Sequence, residues 1–394
     1  MNQHQHQGNG DGAAALDIAI CGAGPVGMAL AALLVKRGVD PARLVLIDGK
    51  TLAQAGNDPR SIALSYGSRQ ILEEIGAWPL AATAIHQIHV SRRGRFGRSL
   101  IDRADHQLPA LGYVARYGDL AALLGAACQR LGVNMLRPAR LLDSRERQDD
   151  VLLDVAFDGD GGGGAGRRIG AALLVQAEGG VFGQQRDKAL QRDYRQTALI
   201  AQVRCSAPVA HRAYERFTDE GPLALLPQGE EYSLVWCVRP ETAQRLLALG
   251  DAAFLAQLGE AFGNRLGSFT AATPRAAYAL GLNAEAAAAR RSVAIGNAAQ
   301  TLHPVAGQGL NLGLRDAAVL ARLLARGASP DMLAEFAALR RQDRTLTVRL
   351  TDTMARIFAA DTPLQGLLGA SLAAIDMAGP ARHLLAELMM FGRR

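Results

Sequence analysis

The 394-residue chain is poor in residues that carry several common kinds of chemistry. Its four cysteines, Cys21, Cys128, Cys205 and Cys237, have spacings that fit neither a disulfide framework nor a Cys-x-x-Cys metal pair, which points to a reducing, cytoplasmic setting. Aromatics make up 5% and charged residues 20%, and no stretch interleaves aromatics with a basic run. The formal charge of +6 is therefore not the stripe of a nucleic-acid binder. Arginine thickens only near the C-terminus, at Arg340, Arg341, Arg344, Arg349 and Arg356 and at the final Arg393 and Arg394, a pattern that fits either a solvated helix face or an anionic membrane surface. No nucleophile triad is visible. His86 and His89 stand three apart in an expected strand and so face opposite ways, and no metal site is expected. The long apolar run from Leu16 to Val35 matches a bilayer span in length, yet Gly22, Gly24, Pro25 and Gly27 interrupt it. Residues 1–15 also lack the lysine or arginine of a signal peptide.

What is present reads as an α/β protein of about two domains. After a polar, glycine-rich tail at 1–15 that is expected to be disordered, residues 16–21 predict a buried strand, 25–37 a helix opened by Pro25, and 43–48 a second strand. That order is a parallel crossover. A helix is expected at 118–132 and strands at 151–157 and 171–177, with the glycine run at 159–166 predicting a mobile surface hairpin. From 194 to 240 the period becomes strand-like, as in Tyr232, Leu234, Trp236 and Val238, and an antiparallel sheet is expected there. A strand, a Gly/Pro-rich loop and a long helix return at 292–326, and Leu346, Leu350, Met354 and Phe358 mark a helical C-terminal region.

Two constellations carry chemistry. Gly22-Ala23-Gly24-Pro25-Val26-Gly27 is a G-x-G-x-x-G between a strand and a helix, and Asp48 closes the next strand 21 residues beyond Gly27. Gly22 permits a tight turn, Gly24 lets the backbone approach a pyrophosphate, and Gly27 lets helix pack on strand. The helix N-terminus offers N–H groups to phosphate, and Asp48 can accept from a ribose hydroxyl. An acid at that place argues against a ribose 2′-phosphate and leaves FAD or NAD. The second constellation runs from Gly296 to Asp316 and places Pro304, Gly307 and Gly309 around Gln308 ahead of a helix. Such a loop can hold N–H donors against a flavin edge, and spacing alone fits a structural loop equally well.

The second segment resembles the third FAD motif of the class A flavoprotein monooxygenases, which share the para-hydroxybenzoate hydroxylase fold. More narrowly it is similar to the ubiquinone-biosynthesis hydroxylases, above all to the 2-octaprenyl-6-methoxyphenol hydroxylases, with Asn297 where most of the class has Asp. Further stretches agree in order: Asp58 to Leu64 with Gly76-Ala77-Trp78, His89-Val90-Ser91 with Gly94 and Phe96-Gly97, Tyr214 to Thr218 with Gly221 to Pro227, and Val235-Trp236. The resemblance implies a Rossmann-type FAD domain at 16–85, 112–190 and 290–330, interleaved with an antiparallel substrate domain at 86–111 and 191–289 and followed by C-terminal helices at 331–394.

It also implies that Gly22, Ala23, Gly24, Pro25, Gly27 and Asp48 hold the ADP half of FAD and that Arg60 reaches its ribose-phosphate region. Asn297 would sit near the ribityl-pyrophosphate, with Pro304, Gly307, Gln308, Gly309, Leu310 and Asn311 along the isoalloxazine and His303 and Pro304 as positioning residues. NAD(P)H would bind transiently. Glu178 stands where the family has an Asp, and Phe182 replaces a hydroxyl residue, either as tolerated drift or as altered NAD(P)H handling. Oxygen transfer from dioxygen through a flavin hydroperoxide to the ring of a polyprenyl phenol is the implied chemistry. Phe217, Leu225, Pro227 and Trp236 are the candidate pocket walls, or else ordinary core residues. A ubiquinone-biosynthesis complex and peripheral contact with the inner membrane are the implied surroundings. Two other readings stand beside this one: a hydroxylase of another aromatic metabolite, and a flavin-binding assembly subunit with reduced turnover.

Overall fold

Short apolar strands and small-residue helices alternate from the first described residue. The structure, a computed structural model, describes residues 16–93, 98–157, 166–179, 190–284, 289–300 and 308–341. In chain order the elements are β1 (Leu16–Cys21), α1 (Pro25–Lys36), β2 (Leu44–Ile47), α2 (Leu52–Gly56), β3 (Ser61–Ser65), α3 (Tyr66–Ile75), β4 (Ala82–Ile85), β5 (Gln87–Arg92), β6 (Arg98–Asp102), β7 (Gly112–Arg116), α4 (Tyr117–Arg130), β8 (Asn134–Leu136) and β9 (Ala139–Glu146). They continue with β10 (Val151–Phe157), β11 (Arg167–Gln176), β12 (Leu190–Cys205), β13 (Arg212–Phe217), β14 (Pro222–Gln228), β15 (Glu231–Val238), α5 (Pro240–Ala248), α6 (Asp251–Phe262), β16 (Phe269–Ala272), β17 (Ala276–Ala284), β18 (Ser292–Ala294) and α7 (Gln308–Leu324), after which residues 330–341 are helical.

The first sheet is seven-stranded. Strands β8, β2, β1 and β11 lie side by side in parallel, β18 also joins β11 in parallel, and the β9–β10 pair continues beyond β11 in antiparallel fashion. Helix α1 is buried from Met28 to Leu34 because the sheet lies on one side of it and α4 and α7 on others, so a helix apolar all round is what this place requires. Pro25 fits its first turn, where the missing N–H leaves no intrahelical bond unmade. Elsewhere polar caps set the helix starts: Thr51 and Gln54 cap α2 reciprocally, and the Ser65 hydroxyl accepts from Ser68 N at the start of α3.

The second sheet is eight-stranded, ordered β16-β12-β15-β14-β13-β5-β6 with β17 also on β12, and antiparallel except for β13 beside β5. Its strands come from 87–102 and 190–284, so the first sheet is completed only by β18 after them. One face carries Leu199, Tyr214, Leu225, Leu234 and Trp236 and packs on α5 and α6 through Leu246, Phe254, Leu258 and Phe262. The other face meets the small sheet β3-β7-β4 of the first unit, where Ile85 and Val114 close on Ala213 and Leu226. Polar groups lace the same seam. The Ser61 hydroxyl is 2.6 Å from Gln228 Oε1 and accepts from Gln202 Nε2 at 2.8 Å, and Gly229 N donates to Thr83 Oγ1 at 2.9 Å.

The expected tail at 1–15, most of the 159–166 hairpin and the helices beyond 341 lie outside the described residues. The strands flanking that hairpin pair antiparallel. Arg340 differs from the solvated or membrane-facing role considered for it: its Nε donates to Asp316 Oδ1 at 2.7 Å, and both side chains are enclosed. Its charge holds residues 330–341 against α7 and is not available to a surface. Among the described residues no helix is long and apolar enough to cross a membrane.

Candidate cofactor site

The turn after β1 needs its glycines for three different reasons. Gly22 has φ of +106°, and a Cβ there would stand 2.5 Å from the backbone of Ala177 and Glu178. A Cβ on Gly27 would lie 1.9 Å from the Gly22 carbonyl oxygen, so helix and turn touch only because that atom is absent. Gly24 is less confined, its nearest neighbour being the Tyr117 hydroxyl 3.3 Å from where a Cβ would sit. It is the N-cap of α1 and supplies no side chain to satisfy the first N–H groups, which leaves them for an anion. The turn sits at the carboxyl ends of parallel β1, β2 and β11, the ordinary place for a ligand in an open α/β sheet.

Asp48 stands beside this turn and is already engaged. One carboxylate oxygen accepts from Ala23 N and the other from Lys50 N, each at 2.7 Å. The Arg137 guanidinium approaches to 3.5 Å. Arg137 also donates through Nε to Lys50 O at 2.6 Å, while its buried Nη1 has no hydrogen-bond partner among the described residues. Burial works against its charge, and Asp48 partly restores it. A buried, undirected N–H beside a carboxylate and a bare helix N-terminus suits the ribose and phosphate oxygens of an adenosine diphosphate, so the residues present fit the group. Glu178 lies at the rim, where desolvation, reinforced by the Asp48 charge, holds its carboxyl above the ordinary range.

Arg60 is fixed by its own loop. Its Nε and Nη2 donate to Asp58 at 3.0 and 2.7 Å, and its guanidinium lies 5.0 Å from the Tyr117 ring centre. Burial disfavours the Asp58 carboxylate, but the hydrogen bonds and charge of Arg60 outweigh it and hold the carboxyl below its usual range. The hydrogen bond to Asp58 likewise raises Arg60. This leaves a planar cation half exposed, with Tyr278 of β17 near enough to act on its charge.

The second constellation packs directly on the first. Gly296 has φ of +58°, and a Cβ on Gly313 would lie 2.7 Å from the Val26 side chain, so the first turn of α1 meets the early turns of α7. Asn297 lies in a short turn at Gly296–Ala298, its Oδ1 being 3.8 Å from where a Gly309 Cβ would stand. Leu310 packs on the core of the first unit. The Asn311 side chain is spent inside the protein, accepting from Ser65 N at 2.8 Å and Ser68 Oγ at 2.7 Å and donating to Ala63 O at 3.0 Å. It fixes α7 to β3 and α3 and presents no free amide to a ligand. Gln308 opens α7, and His303, Pro304 and Gly307 lie outside the described residues.

The proposed pocket walls divide by strand alternation. Leu225 and Trp236 belong to the core under α5 and α6, and Pro227 shares their parity, paired with Tyr232. These three face away from the first unit, so they are core residues and not walls of a space between the sheets. Phe217 has the parity of Ala213 and lies on the other face. A cavity of about 180 Å³ does open beside Trp236, but on the helix side, among Arg93, Glu220, Thr242, Arg245 and Glu260. Arg137 and Tyr117 were not picked out by pattern, since each follows a strand or opens a helix that only the parallel order β8-β2-β1 brings to Asp48 and Gly24. The four cysteines are buried and unbridged, and burial pushes Cys21 and Cys128 up to about 12.

A crossover turn of this kind, with an acid and a buried arginine beside it and a second sheet folded over the seam, defines an α/β protein of the dinucleotide-binding kind. A family model described as an FAD binding domain matches residues 15–349. The chain is 34% identical to the ubiquinone hydroxylase UbiL of Rhodospirillum rubrum, over 93% of this chain and 88% of that one. It is 31% identical to the 3-demethoxyubiquinol 3-hydroxylase of Escherichia coli, over 79% and 80%. In fold it is similar to the p-nitrophenol 4-monooxygenase PnpA of Pseudomonas putida, with a TM-score of 0.72 at 18% identity over 96% of this chain and 99% of that one. The chain belongs to the FAD-binding family and, within it, to the family of the ubiquinone hydroxylases.

Proposed function

We propose that the protein is an FAD-dependent monooxygenase that hydroxylates the aromatic ring of a polyprenylated phenol in ubiquinone synthesis, with NAD(P)H as electron donor and dioxygen as oxygen source. The observation that carries this reading is the pairing of the bare turn and the unpaired Nη1 of Arg137 with a second sheet whose uncovered face turns toward the same unit. Gly22 to Gly27, Asp48 and Arg137 would hold the adenosine diphosphate. Arg60 and Asn297 would serve the inner phosphate and ribityl region, and the start of α7 the ring system. FAD, when bound, supplies the activation of dioxygen for transfer of one oxygen atom.

The chain's own residues do the rest. The N-termini of α1 and α7, brought together at Val26, place two positive dipole ends near the phosphates and near any negative charge that reduction places on the ring system. Asp58 and Tyr117 keep Arg60 charged and oriented. The Ile85, Val114, Ala213 and Leu226 contact closes one end of the space between the sheets and excludes water there. A prenyl tail partitions into lipid, so the enzyme would collect its substrate at the inner membrane or from a partner protein that presents it.

The test is the visible spectrum of the purified protein, then anaerobic NAD(P)H addition with and without a prenylated phenol. A flavin spectrum that bleaches faster with the phenol is expected, followed by one hydroxylated product on admission of air. Protein that holds no flavin after reconstitution defeats the proposal. Loss of ubiquinone in a deletion strain, with one phenolic intermediate accumulating, ties the activity to that pathway and identifies the ring position.

A further inference from the structure

The most isolated carboxyl group of the second sheet plays no part in the site described above. Glu215 sits mid-strand in β13, where alternation sends Tyr214 to the helix-covered core and Ala213, Glu215 and Phe217 to the opposite face. Arg216 follows Tyr214 and donates to the Ala261 carbonyl on α6. In register, Glu215 stands between Val90 of β5 and Ala224 of β14, and the same row runs on through Val235 and Ile200. Its neighbours across the sheet are therefore alkyl groups, with the Cys237 thiol close enough to feel its charge. Among the described residues it has neither a hydrogen bond nor an ion pair. Packing alone would put another Ala or Val at this point, because a carboxylate confined among alkyl groups without a partner is costly.

Exposure separates this row from the core. Val90, Glu215, Ala224, Val235 and Ile200 are all half-buried, whereas Leu225 and Leu234 on the other face are at 0%. This row is therefore partly open to solvent on the face that looks toward the first unit, the side on which a substrate chamber between the two units would lie. One pleat along, about 7 Å, Ala213 and Leu226 close against Ile85 and Val114 of the first unit. The Glu215 row starts where that seam ends. Burial alone pushes the Glu215 carboxyl up to about 7, so it can exchange a proton under working conditions.

We infer that Glu215 is a catalytic residue on the wall of this chamber, where its carboxylate accepts the hydrogen bond and then the proton of the substrate's phenolic hydroxyl. The inference rests on the hydroxylase reading above. In the step the phenolic O–H bond breaks, the proton passes to a Glu215 carboxylate oxygen, and the electron pair stays on the phenolic oxygen. That pair raises the electron density of the ortho and para ring carbons, one of which forms the new C–O bond with one oxygen atom of dioxygen as the O–O bond breaks, the second oxygen leaving as water with two electrons that NAD(P)H would supply through FAD. The resulting dienone loses the proton of its tetrahedral carbon to water and recovers, at its carbonyl oxygen, the proton held by Glu215. The carboxylate is regenerated, and no electrons pass through it.

The test uses the full-length, FAD-loaded enzyme with 2-farnesyl-4-nitrophenol as a binding probe, whose phenolate absorbs visible light and whose phenol does not. In the wild-type protein the bound probe shares one proton with Glu215, so its phenolate band develops late as pH rises. In Glu215→Gln no carboxylate competes, and the band is expected to develop about one pH unit lower or more. With 2-farnesylphenol as substrate, Glu215→Gln should keep its flavin and lose about a hundredfold in hydroxylation rate. Glu215→Asp should keep the late band and recover part of the rate. A probe titration identical in wild type and Glu215→Gln overturns the inference whatever the rates do. A wild-type enzyme that neither binds the probe nor hydroxylates 2-farnesylphenol overturns the hydroxylase reading, and this inference with it.

Discussion

The two faces of the eight-stranded sheet are made by the same strands and have opposite designs. Leu199, Leu225, Tyr232, Leu234 and Trp236 interlock with α5 and α6 and leave almost no accessible surface. One residue along each strand, Ala224, Ser233 and Val235 present smaller side chains beside Ile200, with Gln202, Gln228 and Glu215 among them. The first face is optimised for contact and the second for reach. A sheet covered by helices on one side only leaves its other side for a partner unit or a ligand, and here that side forms a seam near Leu226 and leaves a half-buried row beyond it.

Substitutions on each face should break the contrast in opposite ways. The largest effect is expected from Leu234→Ala, which removes a fully buried side chain from the helix-covered core and should cost about 2–5 kcal/mol of stability. Urea denaturation would measure this, with flavin content unchanged at low denaturant. Next comes Glu215→Gln. Folding keeps this carboxyl protonated to a higher pH than the unfolded chain does, so its contribution turns unfavourable as pH rises from the ordinary carboxylate range through about 7. The glutamine variant should therefore gain up to about 3 kcal/mol on wild type at about pH 8 relative to about pH 4, read from urea midpoints at the two values. Equal midpoint differences at both would show that the carboxyl is not confined.

Two smaller effects sharpen the picture. Ala224→Leu fills the open face while leaving the core untouched. It should change stability by no more than about 1 kcal/mol and raise the KM for a prenylated phenol about tenfold. An unchanged KM would place substrate elsewhere. Gln228→Ala cuts one of the contacts to Ser61 at the seam and should cost about 1 kcal/mol, with steady-state rates near wild type.

Much of the dinucleotide half was legible in the sequence because its demands are local. A turn at positive φ, a helix lying on a carbonyl oxygen and an acid at the next strand end each require a residue type at a fixed spacing, and Gly22, Gly27 and Asp48 meet them. The strands at 194–240 were legible for the same reason, through alternation. Alternation sorts residues into two sets without saying which set the helices cover, so Leu225, Pro227 and Trp236 could be taken for pocket walls when they are core. Asn311 follows the glycines of its motif, and the pattern gives no sign that its side chain is spent on Ser65, Ser68 and Ala63. Arg137, Tyr117 and Glu215 take their meaning from neighbours many residues distant, and single-chain patterns carry no trace of that.

The hydrogen bond from Ala23 N to the Asp48 carboxylate ties the glycine turn to the end of the neighbouring strand, and the Lys50 N–H holds the other oxygen. The conformational entropy of ordering this turn is thus met during folding, by bonds internal to the protein, and does not fall to the ligand. A dinucleotide bound there, as proposed, would meet a shape already set. Its capture should be governed by diffusion and desolvation, with the lifetime of the complex, and not the speed of its formation, as the quantity that mutations around the turn would change.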